Sequence, residues 1–306
     1  MCSRRRDLLA LALAAIAPAC GRADAQVGLV PGDAGATVVF SAEMAAADPA
    51  WEITTPLPRS AVSFAAAAAG ARDGRVVDLR FPGDSNLTAI DRADPNLATM
   101  ISTRQFFRYG TFRARLEPAR CTPSEEVVSA MFLYAKDGRD SNQNGIADVQ
   151  ELDLQVLCGR PSFIVLTAWS DYEEAADGGA ANFRKRSHAV DTATGDLYDT
   201  PSPSAVDYEK TGNAPELVLP GFPASGAFYD LGIDWQPARV RFFIVMGGAE
   251  LTLWTLEDAA YIPQAPLPMM FNVWHPATHW LPAREPADYP SEDAVLRVDF
   301  AEWRVP

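Results

Sequence analysis

Glu151-Leu152-Asp153-Leu154-Gln155-Val156-Leu157 places a polar side chain at every second position and an apolar one between. A strand with one face buried and one face open has this alternation. Strand residues two and four apart share a face, with a rise of ~3.3 Å per residue. Glu151 and Asp153 are therefore expected to project side by side into one groove. The run is one of several. Arg75 to Phe81, Gly110 to Leu116, Val127 to Leu133, Ser162 to Ala168, Arg239 to Val245, Glu250 to Leu256, Met269 to Val273 and Ala294 to Val305 are short apolar or alternating segments bounded by Gly, Pro, Asp and Asn. Helical periodicity is scarce among them. Many strands without intervening helices predict an all-β fold, a two-sheet antiparallel β-sandwich or a barrel. Tyr172 to Phe222 is rich in polar residues, glycine and proline and reads as a long loop or an excursion between strands. Ala65 to Ala69 reads as a local alanine run.

Several segments, in order, resemble glycoside hydrolase family 16. Ser102 to Phe112 contains Tyr109-Gly110 and is similar to the family's opening strand, where such a pair precedes an edge-forming strand. Val127 to Tyr134 resembles the strand that follows. Glu151-Leu152-Asp153-Leu154 matches the catalytic Glu-x-Asp-x core, and Gly232-Ile233-Asp234-Trp235 resembles a second family segment. Pro263 to Pro268, leading to Asn272-Val273-Trp274, looks like the strand that carries an aromatic side chain into the sugar cleft. The resemblance spans roughly Val38 to Val305. It implies a jelly roll of the concanavalin A-like lectin/glucanase type and a retaining endo-β-glycosidase or transglycosidase acting on a β-glucan or related polysaccharide.

In a retaining glycosidase one carboxylate attacks the anomeric carbon while a second carboxyl, roughly 5–5.5 Å away, protonates the departing oxygen. By resemblance Glu151 is the nucleophile and Asp153 the residue that orients it. The acid position falls on Gln155, or on Val156 if the strand carries the extra bulged residue seen in part of the family, a version that the length up to Gly159 fits better. Neither is a carboxyl. An amide cannot donate the proton, and positioned acid catalysis is worth roughly 10²–10⁴ in rate. Doubtful or reduced hydrolysis is expected, unless Glu173 or Glu174 of the long loop enters the cleft. The alternative is a non-catalytic polysaccharide-binding protein on the same fold. A calcium-stabilised structural or adhesion role is a third reading.

Asp140, Asn142, Asn144, Gly145, Asp148 and Glu151 fall on positions 1, 3, 5, 6, 9 and 12 of a calcium-wrapping loop, with the Ile146 carbonyl at position 7. The other reading is a polar turn between two strands. Glu151 is claimed twice, because a carboxylate neutralised by a metal is a poor nucleophile. The favoured assignment is a structural Ca²⁺ on Asp140, Asn142, Asn144, Ile146 and Asp148, with Glu151 free.

Trp169, Tyr172, Asn272, Trp274 and Trp280 are the candidate substrate-binding residues, the aromatic ones as faces on which sugar rings stack. Core packing is the competing reading for each aromatic. His275 and His279 have metal-pair spacing, but Pro276 between them opposes the helix that would align them.

The first 25 residues read as an export signal. Arg4, Arg5 and Arg6 form a basic start, Leu8 to Ala17 is an apolar run too short to span a bilayer, and Ala23-Asp24-Ala25 is a cleavage site. The arginines also fit a twin-arginine signal, and Cys20 is an alternative lipidation site. Residues 26–37 then form a short leader and 38–306 one sandwich domain. The expected location is periplasmic or extracellular, with no transmembrane segment. Loss of four arginines and two aspartates with residues 1–25 takes the net charge from −14 to −16. Such a surface repels nucleic acid, whereas a neutral polysaccharide or oligosaccharide meets no such penalty. The expected protein is a monomer. Cys121 and Cys158 remain as a mature pair, expected to form a disulfide in an oxidising compartment, the other reading being two buried thiols.

Overall fold

The computed structural model describes residues 36–306 except 45, 47, 55, 56, 58–60, 95, 96, 137, 139, 141–147, 172–183, 203 and 204. Residues 1–25, read above as an export signal, and nearly all of the expected leader lie outside the described residues. Among the described residues no helix is long and apolar enough to cross a membrane.

Seventeen strands are found there. In chain order they are β1 Thr37–Glu43, β2 Trp51–Ile53, β3 Val62–Ala67, β4 Arg75–Phe81, β5 Ala98–Phe107 and β6 Gly110–Glu117. Then come β7 Val128–Lys136, β8 Val149–Leu157, β9 Phe163–Asp171, β10 Arg184–Asp191, β11 Asp196–Asp199 and β12 Glu209–Asn213. The last are β13 Tyr229–Gln236, β14 Arg239–Met246, β15 Ala249–Leu256, β16 Leu267–Trp274 and β17 Ala294–Val305. They form two antiparallel sheets, and the molecule is the β-sandwich expected from the alternation. One sheet runs β15-β14-β13-β6-β17-β4-β3, with β1 also on β17; the other runs β12-β11-β10-β9-β8-β7-β16-β5-β2.

The core lies between the sheets. Leu152, Leu154 and Val156 of β8 and Ile164 and Leu166 of β9 enter it from one side; Phe112, Ile233, Trp235 and Phe242 enter from the other, all at 1 % exposure or less. The Gly232-Ile233-Asp234-Trp235 segment shows the division of labour. Ile233 and Trp235 point inward, and the Trp235 indole donates to the Pro263 carbonyl at 3.0 Å. Asp234 points outward and meets Arg239 at 2.7 Å. Gly232 lies where a Cβ would come within 2.2 Å of the Phe243 ring, so no other residue fits without moving the ring.

Two sequence readings are corrected, on the presumed loop and on the strand after Tyr109-Gly110. Within the presumed loop from Tyr172 to Phe222, β10, β11 and β12 extend the second sheet. Their polar character arises because β10 has Arg184, Lys185 and Arg186 at its start and the outermost strand, β12, is nearly all exposed. The alanine run overlaps β3, which pairs with β4. The strand after Tyr109-Gly110 is not an edge: β6 lies between β13 and β17. The pair itself makes the turn, with both residues at positive φ, 59° and 103°. A Cβ on Gly110 would stand 2.3 Å from the Arg304 carbonyl oxygen.

Cys121 and Cys158 are bonded across a separation of 37 residues. The bridge ties the segment before β7 to the end of β8, just beneath the cleft-bearing sheet.

Candidate functional site

Strand β8 pairs with β7 on one side and β9 on the other with no shift in register along either ladder. It carries no bulge. The bulged alignment that the length up to Gly159 favours is thereby corrected: Gln155 lines a cleft with Glu151 and Asp153, while Val156 is 1 % exposed in the core.

Cross-strand register builds the floor of this cleft in rows. Tyr134, Glu151, Trp169 and Lys185 form one row; Phe132, Asp153, Thr167 and Ser187 the next; Ala130, Gln155, Val165 and Ala189 a third. Directly opposed residues on one face lie about 5 Å apart. Tyr208, Trp274, Trp280 and Arg284 wall the floor, enclosing about 480 Å³. A second hollow of about 300 Å³ adjoins it on the far side of Glu151 and Trp274, lined by Met100, Phe132, Tyr134, Met270 and Asn272 among others. The two share Glu151 and Trp274 and form one groove with a polar and an apolar half.

The electrostatics centre on Glu151 and Asp153. Burial, then the charge of Asp153, holds the Glu151 carboxyl well above the usual range. Burial likewise raises Asp153 to about 7, against the lowering effect of hydrogen bonds from Glu151 and Trp169 and of the Lys185 charge. Adjacent carboxyls with little water cannot both ionise, so the pair holds one proton in common. The only polar hydrogen of the Trp169 side chain is its indole N–H, which therefore donates to Asp153. Lys185 sits 4.8 Å over the same ring. One face of Trp169 thus carries a cation, and the ring positions Asp153 and Lys185 as well as lining the cleft.

Trp274 and Trp280 meet with ring centroids 5.6 Å apart at 50°. Asn272 lines the apolar half, and its buried side-chain oxygen meets no partner among the described residues. Tyr172, Asn142, Asn144, Ile146, Glu173 and Glu174 lie outside the described residues. Of the calcium-loop candidates, Asp148 is buried just ahead of β8 and Asp140 is partly exposed. Glu151 stands in the cleft beside Asp153. The histidines do not form a pair. His279 bonds the buried Glu126 carboxylate through Nδ1 at 2.9 Å, and His275 bonds the Glu126 carbonyl at 2.8 Å.

Four contributors escaped the sequence reading. Lys185 and Tyr208 lie in the segment taken for a loop. Arg284 is a lone cation between strands with no pattern to mark it. Tyr134 is placed by pairing: once Val127 to Tyr134 is set beside β8, Tyr134 falls opposite Glu151, whose charge together with burial raises its hydroxyl pKa.

No protein-family model matches the chain, and no curated protein matches it. Solved structures do. A β-glucanase of Bacillus licheniformis superposes with a TM-score of 0.51 at 15 % identity, over 86 % of this chain and 96 % of that one. A prokaryotic β-1,3-1,4-glucanase (lichenase) derived from a mouse hindgut metagenome gives 0.51 at 16 %, over 86 % and 97 %. A structure described as a native glycosidic hydrolase gives 0.51 at 17 %, over 87 % and 97 %. At these identities the likeness is one of fold: the chain has the jelly-roll sandwich of the β-glucanases.

Proposed function

We propose that the protein is a carbohydrate-active member of the family 16 type that binds a β-linked polysaccharide across β8, with Glu151 as nucleophile and no general acid at position 155 among the described residues of the cleft. The supporting observation is the placement of Glu151, Asp153 and Gln155 on one face of one unbulged strand, in a groove walled by Trp274 and Trp280. The shared proton rests on Glu151, which bonds Asp153; its transfer to Asp153 leaves Glu151 ionised to attack an anomeric carbon. The bond to the leaving oxygen then breaks, and in an ordinary polymer that oxygen needs a proton. Gln155 has none to give. Its amide can hold the leaving sugar by hydrogen bonds, and the unpartnered Asn272 oxygen can accept one from a sugar hydroxyl in the other half of the groove.

Substrates that need no protonation separate chemistry from binding. An aryl β-glycoside with a phenolate leaving group is expected to turn over, and Glu151→Ala to abolish that turnover, while β-glucan and β-galactan polymers are cleaved slowly or not at all. Gln155→Glu is expected to raise polymer cleavage by roughly 10²-fold or more. Polymer binding without turnover of the aryl glycoside would leave the second reading, a polysaccharide-binding protein; the amide at position 155 favours that reading. No binding to any glycan would overturn both.

A further inference from the structure

We infer that the glycan taken by this cleft carries an oxyanion, a uronate carboxylate or a sulfate ester, seated between Lys185 and Arg284. The inference rests on the glycan reading above and names its substrate class.

The chain as a whole is strongly acidic, with a net charge of −14. Its cleft is not. Among the described residues, the charged groups lining it are Glu151, Asp153, Lys185 and Arg284. Because the two carboxyls hold one proton in common, they supply about one negative charge against two positive ones.

The two cations come from different parts of the chain. Lys185 rises from the floor on β10, and Arg284 reaches in from the exposed segment between β16 and β17. Burial, and with it the charge of Arg284, lowers the Lys185 pKa against the raising effect of the nearby Asp153. Like charges facing one another across a solvent-filled gap are held at a cost, and an anion between them removes it.

A neutral glucan gains nothing from that arrangement. Its hydroxyls are served as well by the amides of Gln155 and Asn272, and its ring faces by Trp274 and Trp280. A carboxylate or sulfate on the sugar beside Trp169 meets both cations at once. The apolar half of the groove, with Met100, Phe132 and Met270, has no cation among the described residues, which places the anionic residue on the Lys185 side of Glu151.

The test compares matched oligosaccharides by calorimetry at pH 7: β-glucan and β-galactan oligomers, the same oligomers oxidised to the carboxylate at C6, and their sulfate esters. An oxidised or sulfated oligomer is expected to bind at least tenfold more tightly than its neutral parent in 50 mM NaCl, with the ratio shrinking in 300 mM NaCl. Whichever ester or acid binds better identifies the anion. Arg284→Met and Lys185→Met are each expected to bring the ratio of charged to neutral affinity close to one, and Lys185→Arg to keep it. Arg284 is exposed, so its variant reads out the charge even if Lys185→Met disturbs the packing on Trp169. Neutral oligomers that bind as tightly as their charged forms, in wild type and variants alike, would overturn the inference and leave the glycan reading standing. Failure of every oligomer to bind would overturn both.

Discussion

Asp153 is 4 % exposed, faces Glu151 on the same strand, and receives the Trp169 indole N–H. Its pKa lies near 7, above the unfolded value, so the folded state holds a proton that the unfolded chain releases near pH 4. Stability from this source is fully present below about pH 4 and is lost as pH rises toward 7. Asp153→Asn keeps the shape and removes the titration. It is expected to raise the melting temperature at pH 8 relative to wild type by roughly 2–4 °C, the shift that about 1 kcal/mol produces in a domain of this size, and to change it little at pH 4. Equal shifts at both pH values would mean that the pair is not proton-linked. The alternation from Glu151 to Leu157 made this pairing legible before any coordinates. The position of the proton was not, since it depends on burial by neighbouring strands.

At the scale of elements, nine strands were readable because each carries an apolar face that the core requires, and Arg75–Phe81 and Ala294–Val305 were bounded correctly to the residue. Three of those that escaped lack the signal. β10 opens with three cations, β12 is mostly exposed at the margin of its sheet, and β2 has three residues. The cleft inherits the same gap, because Lys185 stands on β10. The Cys121–Cys158 bridge belongs to this scale too. Closing 37 residues in the unfolded chain removes conformational freedom worth about 4 kcal/mol in the chain-entropy model. Cys158→Ala with Cys121→Ala is accordingly expected to lower the urea midpoint, and a reductant to lower that of wild type but not of the double variant. Coincident denaturation curves for all four conditions would show that β7 and β8 hold without the bridge.

For the whole molecule, the sheet remote from the cleft carries an ion-pair lattice on its outer face. Arg297 bridges Glu117 at 2.8 Å and Asp78 at 3.4 Å, Arg115 bridges Asp299 at 3.0 Å and Asp230 at 3.2 Å, and Arg241 meets Glu250 at 2.6 Å. Exposed pairs contribute little, but Asp299 is 1 % exposed and also accepts the Arg72 backbone N–H. Asp299→Ala leaves those donors without their acceptor and is expected to cost about 2–3 kcal/mol in denaturant titrations. Glycan affinity should be unchanged, since the residue lies on the opposite sheet. A variant as stable as wild type would reduce the lattice to surface decoration.

Strand β17 forms the spine of that sheet: it pairs with β6 along one side and, along the other, with β4 over its first half and β1 over its second. Of all the strands in the sheet it is the last to leave the ribosome. Until it arrives, β6 and β4 each present a bare ladder of amides and carbonyls, and β1 has nothing to lie against. The sandwich can therefore close only after Ala294–Val305 has been made, and a nascent chain halted before Ala294 would display open edges to any passing strand or chaperone.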